Sequence, residues 1–181
     1  VPVPDDFSAR LGFAPPFPIP ARNLSLRVSS PPRVLVTVEG RGEFVMELYP
    51  AEAPLHVGSF LALARSGYFL GRRVAAVGVS EGVLLRIPES GADPPGVDVP
   101  LAPEISRRTI PRGSLVAVKG FESRLLGPSA RLDTSRAVCI TLLPRPDLEG
   151  RVTCWGRVSM GMHVVDRLAP GDVISELTVV D

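Results

Sequence analysis

Apolar positions fall in ten short runs cut apart by glycine and proline, and in eight of them the spacing suits strands. Residues 34–39 place Val34, Leu35, Val36 and Val38 around a single Thr37, the pattern of a mostly buried strand. Gly40-Arg41-Gly42 predicts a tight turn onto a second strand over residues 44–49. After Pro50 and Pro54 the period changes. Val57, Phe60, Leu61 and Ala64 lie at i, i+3, i+4 and i+7, one face of a core-packing helix that Gly67 ends. Residues 74–79 and 83–87 read as two more strands around Ser80-Glu81-Gly82, followed by an exposed loop over 88–103. Pro111-Arg112-Gly113 introduces a strand over 114–119, and a loop over 120–133 follows. The apolar runs 137–143 and 152–158 flank a turn marked by Pro, Asp and Gly, and together predict a hairpin with an excursion. A short helix over 162–168 turns Val164, Val165 and Leu168 inward, and residues 173–180 supply a last strand. Eight strands and two helices predict a mainly β fold: a closed eight-stranded antiparallel barrel capped at its open ends by two α-helices.

Residues 1–32 break this pattern, with eight of the chain's 20 prolines. Proline lacks the donor a ladder needs and favours extended backbone, so this stretch reads as an arm or linker ahead of a domain over 33–181. Phe7, Leu11, Phe13 and Phe17 distinguish it from a solvated tether. They predict docking on the domain or contact with a protein partner. The start at Val1, without a Met or a signal pattern, predicts a chain cropped from a longer precursor or matured by cleavage.

Charge and composition narrow the chemistry. A formal net charge of +1 argues against nucleic acid as an electrostatic partner, and no apolar run approaches a membrane span. Lys119 is the only lysine among the 20 basic residues, a bias assigned to coding or heat adaptation rather than to an anion site. Two histidines and two cysteines supply no metal site, and no cofactor loop is present. Cys139 and Cys154 read as buried small hydrophobes; a disulfide would require adjacent strands and facing side chains. His56 and His163 stand at the starts of the two helices with no Ser or Cys at motif spacing, which predicts surface or capping roles.

Four collinear blocks covering residues 34–181 resemble the cyclophilin family of peptidyl-prolyl isomerases, as a divergent bacterial-type member. Ile140, Thr141, Leu148, Glu149, Gly150, Gly156 and Val158 match the family's I-T, L-D-G and G-x-V positions. Residues 42–54 resemble its G-x-x-x-x-E-L-x-x-x-x-A-P stretch, and residues 60–68 and 161–168 its first and last helices. The resemblance implies catalysis of rotation about X-Pro bonds, opposed by a barrier of about 18–20 kcal/mol that a donor aimed at the prolyl amide lowers. At the family's groove positions, however, this chain differs. The F-H-R-V strand is Val74-Ala75-Ala76-Val77, which puts Ala76 at the arginine; Ala137 and Cys139 stand for the glutamine and the pocket phenylalanine. Asp147 replaces the aromatic before the L-D-G turn and Val152 the histidine after it, while Leu148 is kept. With a two-residue insertion near Ser80-Glu81, Arg86 takes the place of the glutamine in F-x-x-Q-G-G, with Val83 at the head of that stretch. Two other arginines fail as substitutes on strand geometry: Arg72 lies four residues from Ala76 on the same face, and Arg136 projects to the face opposite Ala137.

These degenerate groove positions predict a cyclophilin-like domain that has lost isomerase activity and serves as a structural or protein-interaction module, a pseudoenzyme scaffold with protein partners met through the 1–32 arm. The alternative is an active isomerase with a site rebuilt around Arg86. A third reading, an apolar ligand inside the barrel, ranks last because strands rich in Val and Leu predict an interior filled by its own side chains.

Overall fold

The computed structural model describes residues 30–78, 82–85, 101–117 and 138–180. The Pro-rich arm, up to residue 29, and the loop expected over 120–133 lie outside the described residues.

Eight strands form one antiparallel sheet: β1 (Arg33–Val38), β2 (Gly42–Leu48), β3 (Val74–Gly78), β4 (Gly82–Leu85), β5 (Ser114–Ala117), β6 (Val138–Ile140), β7 (Thr153–Met160) and β8 (Ile174–Val180). Two α-helices, α1 (Pro54–Arg65) and α2 (Met162–Val165), and a 3₁₀ turn at Pro146–Leu148 complete the described elements. The strand order is β3-β4-β6-β5-β7-β2-β1-β8. Its two edges approach each other at a single bridge between Arg73 and Val173. There Ile174 N–H donates to the Arg72 carbonyl and Val74 N–H to that of Asp172, both at 2.8 Å. The expected barrel is thus observed as a curled sheet whose edges meet at one point rather than along a ladder.

The β1–β2 hairpin follows the sequence pattern. Val34, Val36 and Val38 alternate inward and pair in register with Met46, Phe44 and Gly42. Gly40 takes φ +68°, a conformation open to glycine, and lets Arg41 N–H close the turn on the Val38 carbonyl at 3.0 Å. Helix α1 buries Val57, Phe60 and Ala64, and Phe60 packs between Phe69 and Trp155 at ring separations of 5.3 and 5.1 Å. Each such side chain contributes about 1.5–3 kcal/mol by leaving water. Gly67, one residue past the Ser66 cap, has φ +74° and ends the helix as expected. The interior is filled by the protein itself, with Phe44, Met46, Leu48, Leu115 and Ile140 at 0–1% exposure.

One expectation is overturned. The runs around Cys139 and Cys154 do not pair as a hairpin, because β5 lies between β6 and β7 and bonds to both. Residues 141–152 carry the chain across β5, held by the segment that precedes it. Gly113 N–H donates to the Thr141 carbonyl at 2.7 Å, and Arg145 N–H to that of Ile110 at 2.8 Å.

Helix α2 starts at Gly161, which has φ +79° and lies against β2. A Cβ there would stand 2.5 Å from the Glu43 carbonyl oxygen and 2.7 Å from Phe44 Cα. Since both are backbone atoms of a paired strand, neither can yield cheaply. Gly161→Ala is expected to lower unfolding free energy by about 3 kcal/mol, read as a fall in the urea midpoint. A midpoint within about 0.5 kcal/mol of the parent would refute this close approach.

Candidate functional site

Strands β5, β6 and β7 present two apolar faces. Leu115, Ala117, Val138, Ile140 and Trp155 belong to the main core, whereas the intervening Val116, Cys139 and Cys154 form a second cluster with Ile110. These four residues are only 1–2% exposed, so the outer face is sealed at this point. Tyr49, Leu148 and Val152 pack around them, each partly buried.

Strand register extends this cluster into a row. Ala76 of β3 pairs with Leu84 of β4, Leu84 with Cys139 of β6, Cys139 with Val116 of β5, and Val116 with Cys154 of β7. Two of the sequence-predicted positions, Ala76 and Cys139, therefore occupy one cross-strand line, two strand spacings apart, about 10 Å. Val83 pairs with Val77 and Ile140, one position off that line. Leu148 and Val152 border the cluster from the 3₁₀ turn and the approach to β7. Asp147 is exposed and engaged elsewhere, accepting from Arg145 Nη2 at 2.7 Å. That hydrogen bond holds its carboxyl below the usual aspartate range. Arg86, Ala137 and Arg136 lie outside the described residues.

The guanidinium groups of Arg72 and Arg108 are both engaged elsewhere. Arg72 donates from Nε to the Tyr68 carbonyl at 3.1 Å and covers the Tyr68 ring at 5.1 Å. A register shift between Val74 and Ala76 also breaks the alternation on which a shared face with Ala76 was inferred. Arg108 lies 4.0 Å over the ring of Tyr49, beside the sealed cluster, and its Nε donates to Glu52 at 2.9 Å. Arg108 and Glu52 are joined by further bonds, so these donors are committed to a carboxylate.

Register also decides the state of the cysteines. Cys139 and Cys154 flank Val116 from opposite sides, about 10 Å apart across two strand spacings, beyond the roughly 7 Å Cα separation a disulfide tolerates. Both are buried, at 1% and 2% exposure. Burial pushes the Cys154 thiol up, disfavouring the reactive thiolate.

Sequence reasoning missed one polar centre. His56, expected at the surface, is 4% exposed, and its Nδ1 donates to Glu104 at 2.6 Å. The same carboxylate accepts from the backbone N–H groups of Leu55 at 2.9 Å and His56 at 3.0 Å. It thus caps α1, where the N-cap residue Ala53 offers no side-chain acceptor. Glu104 N–H in turn donates to Thr153 Oγ1 at 2.8 Å, tying the loop to β7. Burial raises the Glu104 pKa, but the Leu55 amide, the His56 ring and the His56 amide outweigh it and hold the carboxyl below the usual range. Among the described residues no group of His, Cys, Asp and Glu could hold a metal ion, and no helix is long and apolar enough to cross a membrane.

Two outcomes follow from these contacts. A carboxyl depressed in the folded state stabilises it above the unfolded glutamate pKa of about 4.3, and that contribution disappears as pH falls through the folded value. Glu104→Gln is expected to cost about 1–3 kcal/mol at pH 7 in urea denaturation and to flatten the acid limb of stability against pH; an unchanged acid limb would contradict the cap. The thiols of the native protein are expected to resist an aromatic disulfide reagent and to react fully in urea. Rapid native labelling of either would show that the face is open.

Comparison with known proteins places this geometry. The family model for cyclophilin type peptidyl-prolyl cis-trans isomerases matches residues 33–82. The chain is 28% identical over 150 residues to the peptidyl-prolyl cis-trans isomerase CYP18-2 of Arabidopsis thaliana, spanning 77% of this chain and 81% of that protein. A crystal structure of a cyclophilin type peptidyl-prolyl cis-trans isomerase from Cryptosporidium parvum is similar at a TM-score of 0.58 and 17% identity, covering 82% of this chain and 97% of the other. A second structure of that protein, obtained in the presence of the dipeptide Ala-Pro, gives 0.59 and 18%, covering 82% and 99%.

Proposed function

We propose that this chain, which belongs to the cyclophilin family, retains the isomerase fold as a structural or protein-interaction module and has lost the isomerase chemistry. The supporting observation is the row from Ala76 to Cys154. Where the family resemblance assigns a guanidinium, the row has the methyl group of an alanine. Where it assigns the pocket aromatic, the row has a cysteine that is 1% exposed between Val116 and its neighbours. Rotation about a prolyl bond is accelerated by a donor that draws the nitrogen lone pair out of conjugation and by a recess that holds the ring. An alanine donates nothing, and a sealed cluster offers a smooth surface. On this reading the curled sheet is a closed barrel with its seam at Arg73 and Val173. The protein partner is met through the arm, whose Phe7, Leu11, Phe13 and Phe17 supply apolar anchors.

A protease-free isomerisation assay on an Ala-Pro peptide tests the reading. The rate is expected to match buffer and to be indifferent to Arg86→Ala. Catalysis above buffer that disappears in Arg86→Ala would reinstate the rebuilt isomerase.

A further inference from the structure

Between the first turn of α1, residues 101–105 and the start of β7 lies a cavity of about 200 Å³. It is smaller than the 300–1,000 Å³ usual for drug-sized ligands, and suits a single amino-acid residue. Leu101, Ile105 and Val152 supply apolar walls, and His56, Thr153 and Arg151 the polar groups. Val152 joins this cavity to the edge of the sealed cluster.

The polar groups are arranged for a ligand with both a donor and an anion. The bond to Glu104 fixes a proton on His56 Nδ1, so in the neutral ring Nε2 is an acceptor. Among the described residues Nε2 has no hydrogen-bond partner. His56 borders the cavity, so this lone pair is available to a donor placed there. Thr153 Oγ1 already accepts from Glu104 N–H, which leaves its hydroxyl proton to give. Arg151 is exposed at the rim, and its guanidinium has no hydrogen-bond or ion-pair partner among the described residues.

The geometry points to a binding site for an N-acylated apolar α-amino acid with a free carboxylate. Its amide N–H donates to His56 Nε2, its carboxylate accepts from Arg151 and Thr153, and its aliphatic side chain lies against Leu101, Ile105 and Val152. That chemistry has two sources: a free N-acyl amino acid, or the carboxyl terminus of a peptide chain. This site is separate from the Ala76 row and requires no isomerase activity.

The test is a titration of the full chain, followed by amide NMR shifts, with N-acetyl-leucine, with an acetylated tripeptide ending in leucine, and with N-acetyl-leucinamide. Saturable shifts at His56, Val152 and Thr153 are expected from the two carboxylates. Affinity should be weaker by about tenfold or more for the amide, and by a similar factor in Arg151→Ala. Because Arg151 is exposed, Arg151→Ala should keep the parent melting temperature, and Arg151→Glu should weaken binding further. Equal affinity for N-acetyl-leucine and the tripeptide assigns a small-molecule source; about tenfold tighter tripeptide binding assigns a chain terminus. No saturable shift from either carboxylate, or shifts equal in the amide or in Arg151→Ala, would overturn the site.

Discussion

A strand buried on both faces has no side from which a polar group can reach water, and every polar atom it carries needs a partner within the protein. Strands β5 and β6 are in that position, with every residue from Ser114 to Ala117 and from Val138 to Ile140 buried. The polar residues in and beside them obey the constraint. Ser114 Oγ and Thr141 Oγ1 both donate to the Pro111 carbonyl, at 2.7 and 2.9 Å. Elsewhere on these strands the side chains are apolar. The outer face at Val116, Cys139 and Cys154 is thus a second, thinner core rather than a surface, and no unsatisfied charge can stand on it without a cost of several kcal/mol.

Glu104 shows the same constraint resolved in the other direction. The amides at the start of α1 need acceptors, the His56 ring needs one for Nδ1, and Ala53 supplies none. One carboxylate on the 101–110 segment answers all three, and its backbone is anchored in turn by Thr153. The helix dipole favours a negative charge at that end, so capping and charge act together. The consequence reaches past stability: holding Nδ1 fixes which imidazole nitrogen remains for the adjoining cavity.

How much of this the sequence revealed depends on whether one face or two is buried. In β1 and β2 the inward Val34, Val36, Phe44 and Met46 alternate with more exposed neighbours, and the period, turn and register follow directly. In β5, β6 and β7 the apolar runs carry no such alternation, so neighbours in sequence were taken for neighbours in space, and the intervention of β5 went unseen. Helix α1 was legible from its apolar stripe and Gly67, but its cap comes from a residue 48 positions away from His56, beyond any local pattern. The missing acceptor at Ala53 was the available signal that a distant residue had to serve. On the site, the resemblance marks Cys139 and Leu148 as groove positions, and the structure brings both into one cluster; the even spacing assumed from Arg72 to Ala76 is interrupted by a register shift between Val74 and Ala76.

Interior and outer row are interleaved residue by residue: Val138 and Ile140 face the main core while Cys139, between them, faces outward. A change on one set leaves the other in place, so on the proposed reading the outer positions can drift while the fold is kept. Once a row of this kind is released from chemistry, burial alone decides its residues, and small apolar side chains that fill the gap between Ile110 and the sheet are favoured. The drift is then hard to reverse. On the proposed reading an arginine at position 76 alone would not restore the chemistry, because Val116, Cys139 and Cys154 on the same cross-strand line stay closed, and opening a recess there would expose apolar surface with no occupant to cover it. Donor and recess would have to return together, because on the proposed reading each is an encumbrance without the other.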